Sequence, residues 1–328
     1  MAKKFKILSI DGGGLRGIVP LLILKRIEEL EKKKIHELFD LIVGTSTGGI
    51  IACGLTATKD GITPILSIDE LIELYTSKGD IIFPQNKGFI KNIVKKINSV
   101  FNPEYSANGL DKLLTDYFGD VNLNQTLKPI IVTSYDLKQN EVLMFKSRKS
   151  NEEGFNTKLK DICRATSAAP TYLPSYNMVY GNAERVCIDG GVYINNPTMA
   201  AISDVIRNKY GKPELKLEDI TCLSLGTGTY TKNLGIKDTT KWGVIEWVEP
   251  ITKVMMQASS KSVVYESNEL LSNYLRLDIN INDKDKSDMA DSRPETTKYI
   301  TDIVNNDILN SKNELRNIKN FFKINKTK

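Results

Sequence analysis

The sequence predicts an α/β protein with a parallel sheet. Three observations carry this: an apolar run at Phe5–Ile10 leads into a helical stretch, a second run at Leu38–Val43 leads into another, and both junctions are glycine-rich. Strand, helix, strand, helix in that order makes a right-handed βαβ unit.

The first strand, "FKILSI", carries a single charge and reads as buried. From about Ile18 to Lys33 apolar residues recur at helical spacing beside Lys25, Arg26, Glu28, Glu29 and Lys32, and Pro20 fits the first turn. After the second strand, "TGGIIACGLTA" continues as a helix of small residues. Further strands are expected at Ile130–Ser134, Val142–Phe145, Arg185–Ile188 and Thr221–Leu225, with helices between them. Beyond about Leu234 the pattern is mostly helical, and the chain ends in the polar, basic "NKTK". Without an internal repeat or a long Gly/Ser/Pro linker, residues 1–328 read as one domain. Its core motifs lie within 5–235, a mostly helical part within 236–310, and a polar, basic tail within 311–328.

A chain of 328 residues that is 41% apolar can bury a large core. With 45 basic and 40 acidic residues, its net charge of +5 argues against a nucleic-acid partner and permits weak attraction to anionic surfaces. The apolar run before Asp11 is short for a secretory signal, and no stretch reaches the roughly 18 apolar residues of a membrane span. Cys53, Cys163, Cys187 and Cys222 lie far apart without C-x-x-C spacing. They read as buried free thiols in a reducing, cytoplasmic setting. "NDKDKSD" resembles a calcium loop superficially, but counting from Asp283 the sixth position is Asp288 and the twelfth Pro294, which excludes an EF-hand. Neither a metal nor a cofactor is expected.

The turn "SIDGGGLRGIVP" fits G-x-G-x-x-G through Gly12, Gly14 and Gly17 and raises the question of a dinucleotide. Such a unit needs an acid at the end of its second strand. Here that strand ends in "GTSTGG", where Gly44, Thr45, Ser46, Thr47 and Gly48 form a G-x-S-x-G nucleophile elbow in the strand–turn–helix context it requires. Both loops emerge at the C-terminal edge of a parallel sheet and so can face one cleft. The Gly12, Gly13 and Gly14 amides then form an oxyanion hole, with Arg16 adding positive charge.

The single histidine, His36, precedes the strand that Ser46 follows, roughly 15 Å or more away at ~3.3 Å per residue. A Ser-His-Asp triad is not expected. The base is instead Asp189 in "RVCIDGGVYINNP", followed by Gly190 and Gly191. Taken alone, an aspartate before glycine also fits an ordinary turn. A nucleotide-binding protein using the Gly12–Gly17 turn is the alternative, although the G-K-[ST] ending of a P-loop is missing.

Together, "DGGGLRG" at Asp11–Gly17, "GTSTGG" at Gly44–Gly49 and "DGG" at Asp189–Gly191 followed by "NNP" resemble the patatin-like phospholipase family. "ATSAAPTYLP", "LSLGTGT" and "NYLRLDINI" extend the likeness from about Phe5 to Leu309. The resemblance implies a three-layer α/β/α sandwich with a mainly parallel central sheet. It also implies a Ser46–Asp189 dyad cleaving acyl esters of polar lipids through an acyl-serine, or a storage or scaffold member of low activity.

Between Lys87 and Phe101, "KGFIKNIVKKINSVF" places Phe89, Ile90, Ile93, Val94, Ile97 and Val100 on one helical face flanked by Lys91, Lys95 and Lys96. Such a basic amphipathic helix suits peripheral contact with a membrane or micelle; the same stripe also fits a helix packed on the sheet.

Overall fold

The computed structural model describes residues 4–84, 103–230 and 239–323. The strands of its main sheet are β1 (Phe5–Ile10), β2 (Leu41–Thr45), β3 (Ile130–Asp136), β4 (Glu141–Lys146), β5 (Tyr176–Tyr180), β6 (Ala183–Asp189), β7 (Ile220–Leu225) and β8 (Tyr274–Leu277). The principal helices are α1 (Ile18–Glu31), α2 (Thr47–Thr56), α3 (Ile68–Ser77), α4 (Asn108–Phe118), α5 (Leu159–Thr166), α6 (Thr198–Asn208), α7 (Val244–Leu270), α8 (Pro294–Val304) and α9 (Lys312–Lys323).

One sheet runs in the order β5-β6-β3-β2-β1-β7-β8, with β4 also on β3. Strands β3, β2, β1, β7 and β8 are parallel, whereas β4 and β6 run against β3, and β5 against β6. Strand alternation splits the interior into two cores. Phe5 and Ile7 of β1, with Leu41 and Val43 of β2, pack against Ala201, Ile202 and Val205 of α6. Leu8, Ile10 and Ile42 face the other way, toward α1, α2 and the C-terminal helices. Each such side chain, fully buried, contributes about 1.5–3 kcal/mol. Helices on both faces of a mainly parallel sheet make the expected three layers.

Boundaries differ where local hydrogen bonds intervene. The second strand begins at Leu41, not Leu38, because Ile35–Leu38 forms a helical turn, closed by the Lys34 amide donating to the Glu37 carboxylate at 2.8 Å. Asp40 then locks onto Lys6, donating its amide to the Lys6 carbonyl and accepting the Lys6 amide. Helix α1 stops at Glu31 because Lys32 turns left-handed. Within the C-terminal part, β8 adds an edge strand beside β7. All four cysteines are buried and unpaired. Among the described residues no helix is long and apolar enough to cross a membrane. The Lys87–Phe101 stretch and "NKTK" lie outside them.

Candidate active site

The topology of β3 explains how two distant residues meet. Strand β4 pairs with β3 from Ile131 to Asp136 and fills one edge. On the other edge β2 pairs up to Thr45 opposite Thr133, and β6, arriving from the opposite direction, ends with Asp189 opposite Ser134. The C-terminal ends of β2 and β6 therefore abut. Ser46, the next residue after β2, is delivered to Asp189.

Ser46 has φ +54° and ψ −122°, a conformation L-residues rarely adopt. The flanking glycines make it possible. A Cβ on Gly44 would collide with the Gly48 carbonyl, and one on Gly48 with the Ile10 carbonyl. The turn is braced from both sides: the Ser46 amide donates to Thr166 Oγ1 at 2.8 Å, which donates to the Thr133 carbonyl at 2.6 Å, while the Ser46 carbonyl accepts Gly49 and Ile50 amides. This combination holds the hydroxyl above the sheet edge.

The Ser46 side chain comes close enough to the Asp189 carboxylate to favour its charged form. Asp189 is only 6% exposed, and its Oδ1 also accepts the Gly191 amide at 2.7 Å. Burial pushes its pKa up to about 6, against the lowering effect of nearby Ser46 and of the Gly191 amide. A carboxyl tuned this way is a much stronger proton acceptor than one in water. Its amide donates to the Ala168 carbonyl at 2.9 Å, and Thr45 Oγ1 donates to the Ile194 carbonyl at 2.8 Å, so the loop carrying the acid is tied to the strand carrying the serine.

The glycine turn lies beside Ser46, but its donors differ from expectation. The Gly12 amide donates to the Asn195 carbonyl at 3.1 Å, and the Gly12 carbonyl accepts Thr227 Oγ1. Gly12 therefore has no free amide to offer. Arg16 is also committed, its Nε to the Gly13 carbonyl and its Nη1 to the Ser287 carbonyl at 3.2 Å. Burial lowers its pKa from the ordinary arginine value, opposed by Asp278 and Asp288. Because peptide C=O and N–H point opposite ways, Arg16 holding the Gly13 carbonyl turns the Gly14 amide away from itself. Among the described residues the Gly13 and Gly14 amides have no backbone acceptor. The glycines are required by the protein's own packing: side chains at Gly13 and Gly14 would strike Thr227 and the Met289 carbonyl, and one at Gly17 would strike Thr47 and Tyr75.

Two further groups fix this loop. Arg276 forms a two-pronged ion pair with the buried Asp11 at 2.9 and 2.7 Å and reaches Ser224 and Asp278 as well. Burial works against the Arg276 charge, but Asp11 and Asp278 outweigh it. Asn195 links the glycine turn to α7, since its carbonyl holds Gly12 and its Nδ2 donates to Ser260 Oγ at 3.2 Å. Sequence reasoning missed both roles. Arg276 and Asp278 were within reach, because "RLD" on a strand places its two charged residues on one face of the sheet, adjacent to Asp11.

A pocket opens at Ser46, walled by apolar side chains including Leu15, Ile50, Leu74, Phe83, Leu110 and Leu173. His36 sits at the other end of β2, lining a separate polar pocket with Glu28, Ser67 and Glu70. It has no part in the Ser46 site. Among the described residues no cluster of three or more His, Cys, Asp or Glu is arranged to hold a metal ion.

Residues 8–202 match the family model described as patatin-like phospholipase. Patatin-like protein 3 of Arabidopsis thaliana is 31% identical over 91% of this chain and 78% of its own length. A protein of Solanum tuberosum named probable inactive patatin-3-Kuras 1 is 30% identical over 84% of this chain and 78% of its own. The crystal structure of VipD from Legionella pneumophila aligns over 93% of this chain and 67% of that one, with a TM-score of 0.40 and 14% identity.

Proposed function

The chain belongs to the patatin-like phospholipase family, which supports lipid acyl hydrolase activity in general, and from that premise we propose that it cleaves fatty-acyl esters of polar lipids through an acyl-serine on Ser46. The observation that carries the reading is the meeting of Ser46 with a buried Asp189 whose pKa stands near 6. The apolar pocket at Ser46 fits a fatty-acyl chain.

Ser46 Oγ attacks the ester carbonyl as Asp189 takes its proton, and the Gly13 and Gly14 amides receive the charge developing on oxygen. The alcohol leaves with the proton from Asp189. Water then attacks the acyl carbon, Asp189 takes one of its protons, and the bond to Ser46 breaks, freeing the fatty acid and restoring the hydroxyl. A relative whose name includes "probable inactive" makes direct measurement decisive. Labelling with a fluorophosphonate and locating the adduct by peptide mass spectrometry tests the reading. An adduct on Ser46 supports it, and an unlabelled Ser46 in folded protein removes it.

A further inference from the structure

The segment that leaves α5 touches both members of the proposed pair. Thr166, the last residue of that helix, takes the Ser46 amide on its Oγ1 at 2.8 Å, and the Ala168 carbonyl takes the Asp189 amide at 2.9 Å. Ser167 stands between them. It lines the pocket that opens at Ser46, is only 8% exposed, and its Oγ has no hydrogen-bond partner among the described residues. The threonine hydroxyls around it are engaged: Thr45 with the Ile194 carbonyl, Thr47 with Tyr75, and Thr166 with the Thr133 carbonyl. A buried hydroxyl left unpaired costs about 1–3 kcal/mol, and its retention at the wall of a reaction pocket calls for a partner that arrives with the substrate.

We propose that Ser167 is a further catalytic residue, donating a hydrogen bond to the alcohol oxygen of the ester as that oxygen departs. The proposal rests on the acyl-serine reading. Position selects the alcohol oxygen over the carbonyl oxygen. The Gly13 and Gly14 amides, assigned to the carbonyl oxygen, belong to the loop after β1, whereas Ser167 is joined through Ala168 to Asp189, the group that hands its proton to the alcohol. As the acyl carbon–oxygen bond breaks, its electron pair passes to the alcohol oxygen and the Asp189 proton follows. Ser167 keeps its own proton and supplies a donor where negative charge develops. The water that later attacks the acyl-serine takes the place the alcohol left, and the same hydroxyl meets it there.

The test compares kcat/KM for two esters of one acyl group, a 4-nitrophenyl ester and a glycerol ester, in the unmodified protein and in Ser167→Ala. Nitrophenolate departs readily without help, whereas a glycerol alkoxide does not. The loss caused by Ser167→Ala is therefore expected to be at least about tenfold larger on the glycerol ester. Urea denaturation should show no loss of stability, because the hydroxyl removed bonds to nothing described in the protein. Equal losses on the two esters, or no loss on either, would overturn the proposal. A fall in stability would do so as well, since it would give the hydroxyl a partner within the fold. Turnover of neither ester by the unmodified protein, with Ser46 unlabelled by a fluorophosphonate, would instead defeat the acyl-serine reading.

Discussion

Thr45 and Asp189 lie against consecutive residues of the same strand edge, Thr45 opposite Thr133 and Asp189 opposite Ser134. Two strands running in opposite directions thus terminate head-on, and the side chain just past one of them meets the last side chain of the other.

Removing the Ser46 hydroxyl removes the proposed nucleophile. Ser46→Ala is expected to cut ester hydrolysis by at least about 10³-fold while leaving the fold intact. Steady-state turnover on a defined ester, paired with circular dichroism, measures both. Retained turnover would dismiss the mechanism.

The acid limb of the pH profile should report Asp189. In the proposed mechanism only the ionised carboxylate can accept the serine proton, so kcat/KM is expected to fall as pH drops through about 6. The Asp189→Asn protein should lose nearly as much activity as Ser46→Ala and show no such limb.

Asp189 also links pH to stability, with a sign opposite to that of a salt-bridged carboxylate. Its folded pKa of about 6 lies above the ordinary 3.8, so the native state binds the proton more tightly than the unfolded chain. Its contribution is most favourable below 3.8 and is lost as pH rises to about 6. Near neutral pH, Asp189→Asn is therefore expected to stabilise the inactive protein, on the order of 2 kcal/mol, read by urea denaturation. Equal or lower stability across that pH range would contradict the buried, ionised acid.

Arg276→Met should leave Asp11 as an unpaired buried carboxyl. Burial already pushes Asp11 up to about 6 with the arginine present. A loss of about 3–5 kcal/mol is expected in denaturant melts, largely recovered when Asp11→Asn is added. Independent effects of the two changes would mean that the pair does not brace the glycine turn.

His36→Gln is expected to preserve ester turnover within about twofold, since solvent-side substitutions away from the reacting groups seldom matter. A collapse in kcat of a folded His36 variant would point to a base other than Asp189.

Much of this arrangement was legible because it is local. The strand before each glycine turn, the small residues around Ser46 and the missing histidine base are all short-range signals. The loss of Gly12 as a donor was not, because its acceptor, Asn195, lies far along the chain. Arg276 reaches Asp11 across most of the sequence for the same reason. Strand β5 also escaped notice, since "YNMVY" alternates between half-buried and exposed positions over only five residues, with Tyr180 alone fully buried. Periodicity names a face but not its occupant. The β3 edge that joins Thr45 to Asp189 depends on sheet order, which no single segment carries.

The head-on meeting of β2 and β6 has a consequence during synthesis. The ribosome releases the strained serine early, whereas the carboxyl that activates it follows only after more than half of the polypeptide has been made. Nascent and truncated chains thus carry a dormant alcohol. Under the proposed mechanism, reactivity toward esters therefore awaits completion of the sheet.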